Sequence, residues 1–252
     1  EAGRSNTSTG HISIGYQAGY SNTSGAYNTN VGYEAGKNNT TSQGRTMIGN
    51  EAGTFQTGSQ NTGIGRYALR QGTGIQNTAV GHSAMVGNMS GASFNTVLGY
   101  SAMSSNGAKN NNVAIGYQAG RLMTTGSNNV VLGYNAMDAN TDGDDNVAIG
   151  SNALGAATSD GRTVAIGTNA LLLQNQTFSP MNTAVGYAAD DGNVTGNTRT
   201  CIGAGTGGGA TGDNITNLGY AANPSSSSVS NEITLGNSSV TALRCQVTSI
   251  TA

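Results

Sequence analysis

Seven tyrosines stand directly after a glycine, at Tyr16, Tyr33, Tyr100, Tyr117, Tyr134, Tyr187 and Tyr220. Rings repeated at that spacing can form a ladder whose faces grip sugars or aromatic neighbours while the hydroxyls bond outward, or whose rings cover an adjacent subunit. Phe178 and Met181 lie in an unusually apolar turn that either folds over the edge of the array or offers a sticky contact to a ligand. The acidic loop with Asp138, Asp142, Asp144 and Asp145 around Gly143 reads as a solvated turn or a weak ion site, because clustered carboxylate oxygens can hold calcium. It lacks the closing Glu of the twelve-residue calcium loop.

Other reactive groups are sparse. His11 and His82 occupy different phases of the pattern described below and read as surface polar residues, not a metal pair. Glycoside cleavage needs two carboxyls at a fixed separation across a groove. Asp190 and Asp191 are chain neighbours that point apart, while Glu34 and Glu51 fall at equivalent exposed turns, so no catalytic residue, metal or cofactor is expected. Cys201 and Cys245 are too far apart in sequence to bridge within one stacked array and read as free thiols.

The elements that position these groups repeat. A glycine preceded by an aliphatic residue and, two places earlier, by Thr, Val or Ile recurs at Gly15, Gly32, Gly49, Gly65, Gly81, Gly99, Gly116, Gly133, Gly150, Gly167, Gly186, Gly203, Gly219 and Gly236, a mean period of 17 residues. Glu1-Ala2-Gly3 is the tail of one more copy, so the sequence begins inside the array. The two apolar positions share a strand face and are expected to form the core ladder, with the variable residue between them facing the other way. Alanine three residues after the glycine, in twelve copies, implies a tight site. This small-residue face is expected to meet another copy of the chain.

A period this short excludes helical repeats and predicts an all-β fold, a β-solenoid (parallel β-roll) of about fourteen coils. At roughly 4.8 Å per coil the rod would be about 65 Å long. It is too thin to bury much surface alone, hence the expectation of a homotrimeric fibre. Residues 1–222 form the repetitive shaft or head. Residues 223–252 hold a serine-rich connector, a last strand near Asn231 to Gly236, and an alternating segment at Leu243, Cys245 and Val247, expected to intertwine with its symmetry mates. Longer steps at Gly81 to Gly99 and Gly167 to Gly186 must bulge outward.

Composition narrows the function classes. The formal charge of −2, from 10 basic and 12 acidic residues, gives no basic track for nucleic acid, and no segment is apolar enough to insert in a membrane. Forty glycines and no tryptophan exclude a conventional aromatic core.

The unit N-T-A-V-G-Y-x-A, seen at Asn182 to Ala189, resembles the repeats of bacteriophage long tail-fibre proteins. Residues Asn231 to Ala252, N-E-I-T-L-G-N-S-S-V-T-A-L-R-C-Q-V-T-S-I-T-A, resemble the segment before an intramolecular chaperone of the endosialidase type. That family trimerises its fibre and then cuts itself off before a serine, which implies autoproteolytic maturation after Ala252. The repeat is also similar to the heads of trimeric autotransporter adhesins, which implies a left-handed β-roll trimer, the unit here being slightly longer. The resemblance implies a structural, receptor-binding protein of a virion tail fibre. Its partners would be itself, other virion tail proteins, and a host cell-surface glycan or protein. The alternatives are the head of a bacterial surface adhesin, at the bacterial cell surface, and a polysaccharide depolymerase tailspike.

Overall fold

The computed structural model describes residues 1–175 and 180–242. Phe178, the alternating segment from Leu243 onward with Cys245 and Val247, and the cleavage position after Ala252 lie outside them. Among the described residues the chain is an all-β parallel solenoid of about thirteen turns with no helix. One short strand per coil, from Ile12–Ile14 to Glu232–Leu235, builds a fourteen-stranded parallel sheet. Register is strict: Val113 pairs with Val130, Val130 with Val147 and Val147 with Val164. The last strand continues the same register, Leu218 against Leu235.

The rest of each coil stacks through backbone hydrogen bonds as well. Gly19 N–H donates to Ala35 O at 2.9 Å and Thr23 N–H to Thr40 O at 2.9 Å. The sequence pattern does not predict the second sheet, of three two-residue strands, Phe55–Gln56, Gln71–Gly72 and Asn88–Met89; the longer Gly81 to Gly99 step places its extra residues on either side of the last of them. In the Gly167 to Gly186 step, Leu171 and Pro180 turn inward while Leu173 and Met181 stay exposed.

The strand-ending glycine is obligatory for two reasons. At Gly65 φ is +128°, which side chains rarely adopt, and a Cβ there would sit 2.5 Å from Gly81 O of the next coil. Two residues later the chain turns through the left-handed region again, here with ordinary residues such as Glu51 (φ 54°) and Asn152 (φ 54°).

The inward and outward faces are the reverse of the sequence expectation. The variable middle residue of each strand is the core: Met47, Ala79, Val97, Ala114, Val131, Ala148 and Cys201 have no exposed surface. The aliphatic residue before the glycine points out, with Ile14 61 %, Leu98 47 % and Leu132 42 % exposed. The alanines expected at a subunit contact, Ala18 through Ala189, are wholly buried inside the coil.

The physical reason is the narrow interior, which two walls must fill together. Where the strand offers Gly63, the opposite wall offers Leu69; where it offers Met47, the wall offers Gly53; Ala79 meets Met85 and Ala148 meets Leu154. Large and small residues thus exchange walls in some coils, while Ala79 and Val97 both have a buried methionine, Met85 or Met103, at the wall position. The outer face has no such compensation within the coil, so its residue type stays constant.

Candidate functional site

The outer face of the main sheet is the most extensive surface feature. Ile12, Ile14, Ile48, Leu98, Val130, Leu132, Ile202, Leu218, Ile233 and Leu235 are exposed, with half-buried Val31, Ile64, Val80, Ile115, Ile149, Ile166 and Val185 on the intervening rungs. From Val113 to Ile166 both outward positions of four successive strands are aliphatic, and in-register pairing sets Ile115, Leu132, Ile149 and Ile166 in one line. Parallel sheets are ordinarily covered on both faces. A contiguous apolar stripe rimmed by polar residues marks an interaction surface.

Beside it run the tyrosines, held by the residue after each turning glycine. Tyr16 stacks on Tyr33 at 5.2 Å, Tyr100 on Tyr117 at 5.3 Å, and Tyr117 on Tyr134 at 5.2 Å, with interplanar angles of 15°, 7° and 10°. His82 joins this column, stacking on Tyr100 at 5.1 Å, with Tyr67 edge-on to it at 6.0 Å. It therefore extends an aromatic ladder, a role that only its place after Gly81 could have revealed. Stacked rings cover one another's faces and present edges and hydroxyls outward, so sugar faces can be gripped only at the ends of a run. Tyr187 and Tyr220 differ: their neighbouring rungs carry Thr168, Ala204 and Asn237, and they are 65 % and 73 % exposed.

The interior holds a polar seam where the polar, glycine-rich pattern predicts only turn. Asn28, Asn61, Asn77, Asn95, Asn112, Asn129, Asn146 and Asn182, each four residues before the glycine, are buried. Each clamps its coil to the next. Asn112 Oδ1 accepts the Asn129 N–H at 2.9 Å, and Asn112 Nδ2 donates to Gly126 O at 3.0 Å. Asn129 repeats this toward Asn146 N–H and Gly143 O, both at 2.9 Å. The signal was the recurrent Asn in N-T-A-V-G.

Thr163 and Ile215 fill the seam position in two coils, and in two others a buried arginine enters. Arg199 occupies one such position, and Asp190 takes its Nε and Nη2 at 2.8 and 2.5 Å in a fully buried pair. Asp190 thus serves the core, apart from half-buried Asp191. Burial, with Asp190 nearby, pushes the Cys201 thiol up to about 12, which keeps it protonated and inert. Lys109 is buried, its Nζ donating to Met123 O at 2.6 Å and Ser105 O at 2.8 Å, and burial pushes it down to about 7. Arg45 is buried without a carboxylate partner among the described residues, its Nη2 donating to Gly53 O at 3.2 Å.

The remaining candidates are accounted for by local partners. Glu34 and Glu51, expected to be exposed, are mostly covered and pair with Lys37 at 2.9 Å and Arg70 at 2.8 Å. Asp138 faces Arg121 at 3.7 Å, Asp144 accepts the Ser127 N–H at 2.6 Å, Asp145 accepts from Asn128 Nδ2 at 3.1 Å, and Asp142 accepts from the Thr141 hydroxyl at 3.2 Å. Among the described residues no three His, Cys, Asp or Glu side chains gather as a metal site. His11 bonds the Ser8 hydroxyl at 2.7 Å in the first coil, and burial lowers its pKa.

The geometry thus offers two linear surfaces, an aliphatic face and an aromatic edge, carried by a rod whose reactive groups are buried or paired. Comparison with protein-family models, curated proteins and solved structures returned no match.

Proposed function

We propose that this chain is a structural, non-enzymatic rod of a bacteriophage tail fibre, assembled as a homotrimer, that carries attachment to the host cell surface. The observation that carries the reading is the uninterrupted column of aliphatic residues before the glycines, exposed or half-buried along the main sheet. A single coil gains nothing from such a face in water, and each Leu or Ile covered by a neighbour contributes up to about 1.5–3 kcal/mol. Repeated on every rung, the gain grows with length, as a fibre requires.

Three copies suit the resemblance to tail fibres and to trimeric adhesin heads, and a closed ring lets every copy hide the same face. The aromatic edge, ending in the open rings of Tyr187 and Tyr220, is the surface left for a host glycan or protein.

The test is adsorption. Fluorescently labelled protein is incubated with a panel of bacterial strains and with their isolated surface polysaccharides, beside a Tyr187→Ala/Tyr220→Ala variant. Saturable binding to a subset of strains, weakened in the variant, supports the attachment role. Uniform absence of binding by correctly assembled protein contradicts it.

A further inference from the structure

Two coils place an arginine where the asparagine seam would otherwise continue, and in both the Nη2 reaches the equivalent glycine carbonyl. Arg199 Nη2 approaches Gly207 O at 3.4 Å, and that carbonyl also accepts the Ala210 N–H at 3.0 Å. Arg45 Nη2 donates to Gly53 O at 3.2 Å, and that carbonyl also accepts the Gln56 N–H at 3.2 Å. The surroundings differ in charge. Arg199 has the Asp190 carboxylate on its Nε and Nη2 edge, and its Nη1 donates to Gly212 O at 2.9 Å.

At the position equivalent to Asp190, the Arg45 coil has Gly36, over which the side chain of Asn30 leans. An amide is neutral and cannot balance a guanidinium. Gly58 O, equivalent to the Arg199 acceptor Gly212 O, is taken by Asn61 Nδ2 at 3.0 Å. Arg45 Nε and Nη1 consequently have no hydrogen-bond partner. Gln56 stands where the other coil has Ala210; its Oε1 accepts the Gly58 N–H at 3.0 Å, which fixes the amide orientation, and its Nε2 is also unpartnered and buried. One coil thus holds unpartnered donors on Arg45 and Gln56, and the acceptor left unpartnered beside Gly36 is the neutral amide oxygen Asn30 Oδ1, which brings no negative charge. A buried charge left unpaired is among the costliest arrangements in a protein interior.

We propose that a small monovalent anion, chloride in the ordinary setting, binds inside the coil between the Arg45 guanidinium and the Gln56 amide, supplying the negative charge that Asp190 supplies to Arg199. Met47, Ala52 and Thr54, close to these donors in the chain, have no exposed surface, so an ion held there would be shut off from solvent. The ion is structural: it stacks this coil on its neighbours and stands independently of what the rod attaches to.

The experiment is diffraction from the whole chain crystallised with bromide in place of chloride, with data collected at the bromine absorption edge. An anomalous peak within hydrogen-bond distance of Arg45 and Gln56, lost in Arg45→Asn, is the expected result. That variant restores the residue used at the same position in eight other coils, so it should fold. Density for water alone at Arg45 overturns the proposal. In solution, replacing gluconate by chloride or bromide at constant ionic strength should raise the unfolding temperature by about 3 °C per tenfold increase in halide above the dissociation constant. R45N should be unresponsive; an equal response of both proteins also overturns the site.

Discussion

The two faces of one three-residue strand obey different rules. In Val147–Ile149, Ala148 points into the coil with no exposed surface, while Val147 and Ile149 point out. Inward residues change from coil to coil, through Met47, Gly63, Ala79, Val97 and Ala114, and the opposite wall offsets some of these changes, as Gly53 does for Met47 and Leu69 for Gly63. Outward residues before the glycine are always Ile, Val or Leu. Variation therefore marks the surface a coil packs against itself. Constancy marks the surface for which no other part of the coil can compensate, as expected where the complement belongs to another molecule.

The contrast can be broken most severely from inside. Gly65→Ala adds one methyl against Gly81 O in a backbone region side chains avoid, and should cost about 3 kcal/mol or more. A large fall in the urea midpoint checks it. Asn112→Ala leaves the buried Asn129 N–H and the Gly126 carbonyl without their side-chain partners and should cost about 2–3 kcal/mol by the same measurement.

A paired substitution sharpens the comparison between faces. Ala148→Ile overpacks the coil and should destabilise it by about 1–3 kcal/mol. Its neighbour Ile149→Ala should leave the circular dichroism of each subunit intact and weaken only association, by about 1–2 kcal/mol per subunit. Equal effects of the two on subunit folding would remove the distinction.

The smallest effect comes from Lys109. Its folded pKa is about 7 against an ordinary 10.5, so between these values the unfolded chain holds a proton that the folded chain lacks. Stability then rises with pH across that window, and the penalty is complete below it. Relative to Lys109→Met, the native protein should gain about 1–2 kcal/mol in urea titrations as pH is raised from about 6 to about 9.

Much of this architecture was legible because the repeat is dictated by backbone geometry. The glycine before Tyr16, Tyr33 and Tyr100 is required by φ and by the next carbonyl, and Ala18 or Ala35 by space, so period and strand position follow from sequence. Which face turns inward did not follow. Alternation tells which residues share a face, and both faces of Thr78–Val80 or Val113–Ile115 carry apolar groups. Regularity pointed to Ile115 as core because the compensation between Ala114 and the opposite Gly120 and Met123 joins residues separated along the chain. For the same reason the Arg199 to Asp190 pair and the clamp from Asn112 to Gly126 were hidden: each joins separate parts of the coil or successive coils. His82 was readable in principle, since it follows Gly81 as the tyrosines follow their glycines.

The central claim is that the constant aliphatic face is covered by other copies of the chain. Light scattering on a size-exclusion column, across about a hundredfold dilution, measures it directly. The account predicts a mass of three chains that persists on dilution, and a fall toward the single chain when Leu132 and Ile149 are both changed to Asp. A native protein that runs as a soluble monomer at every concentration, with its circular dichroism intact, would contradict it.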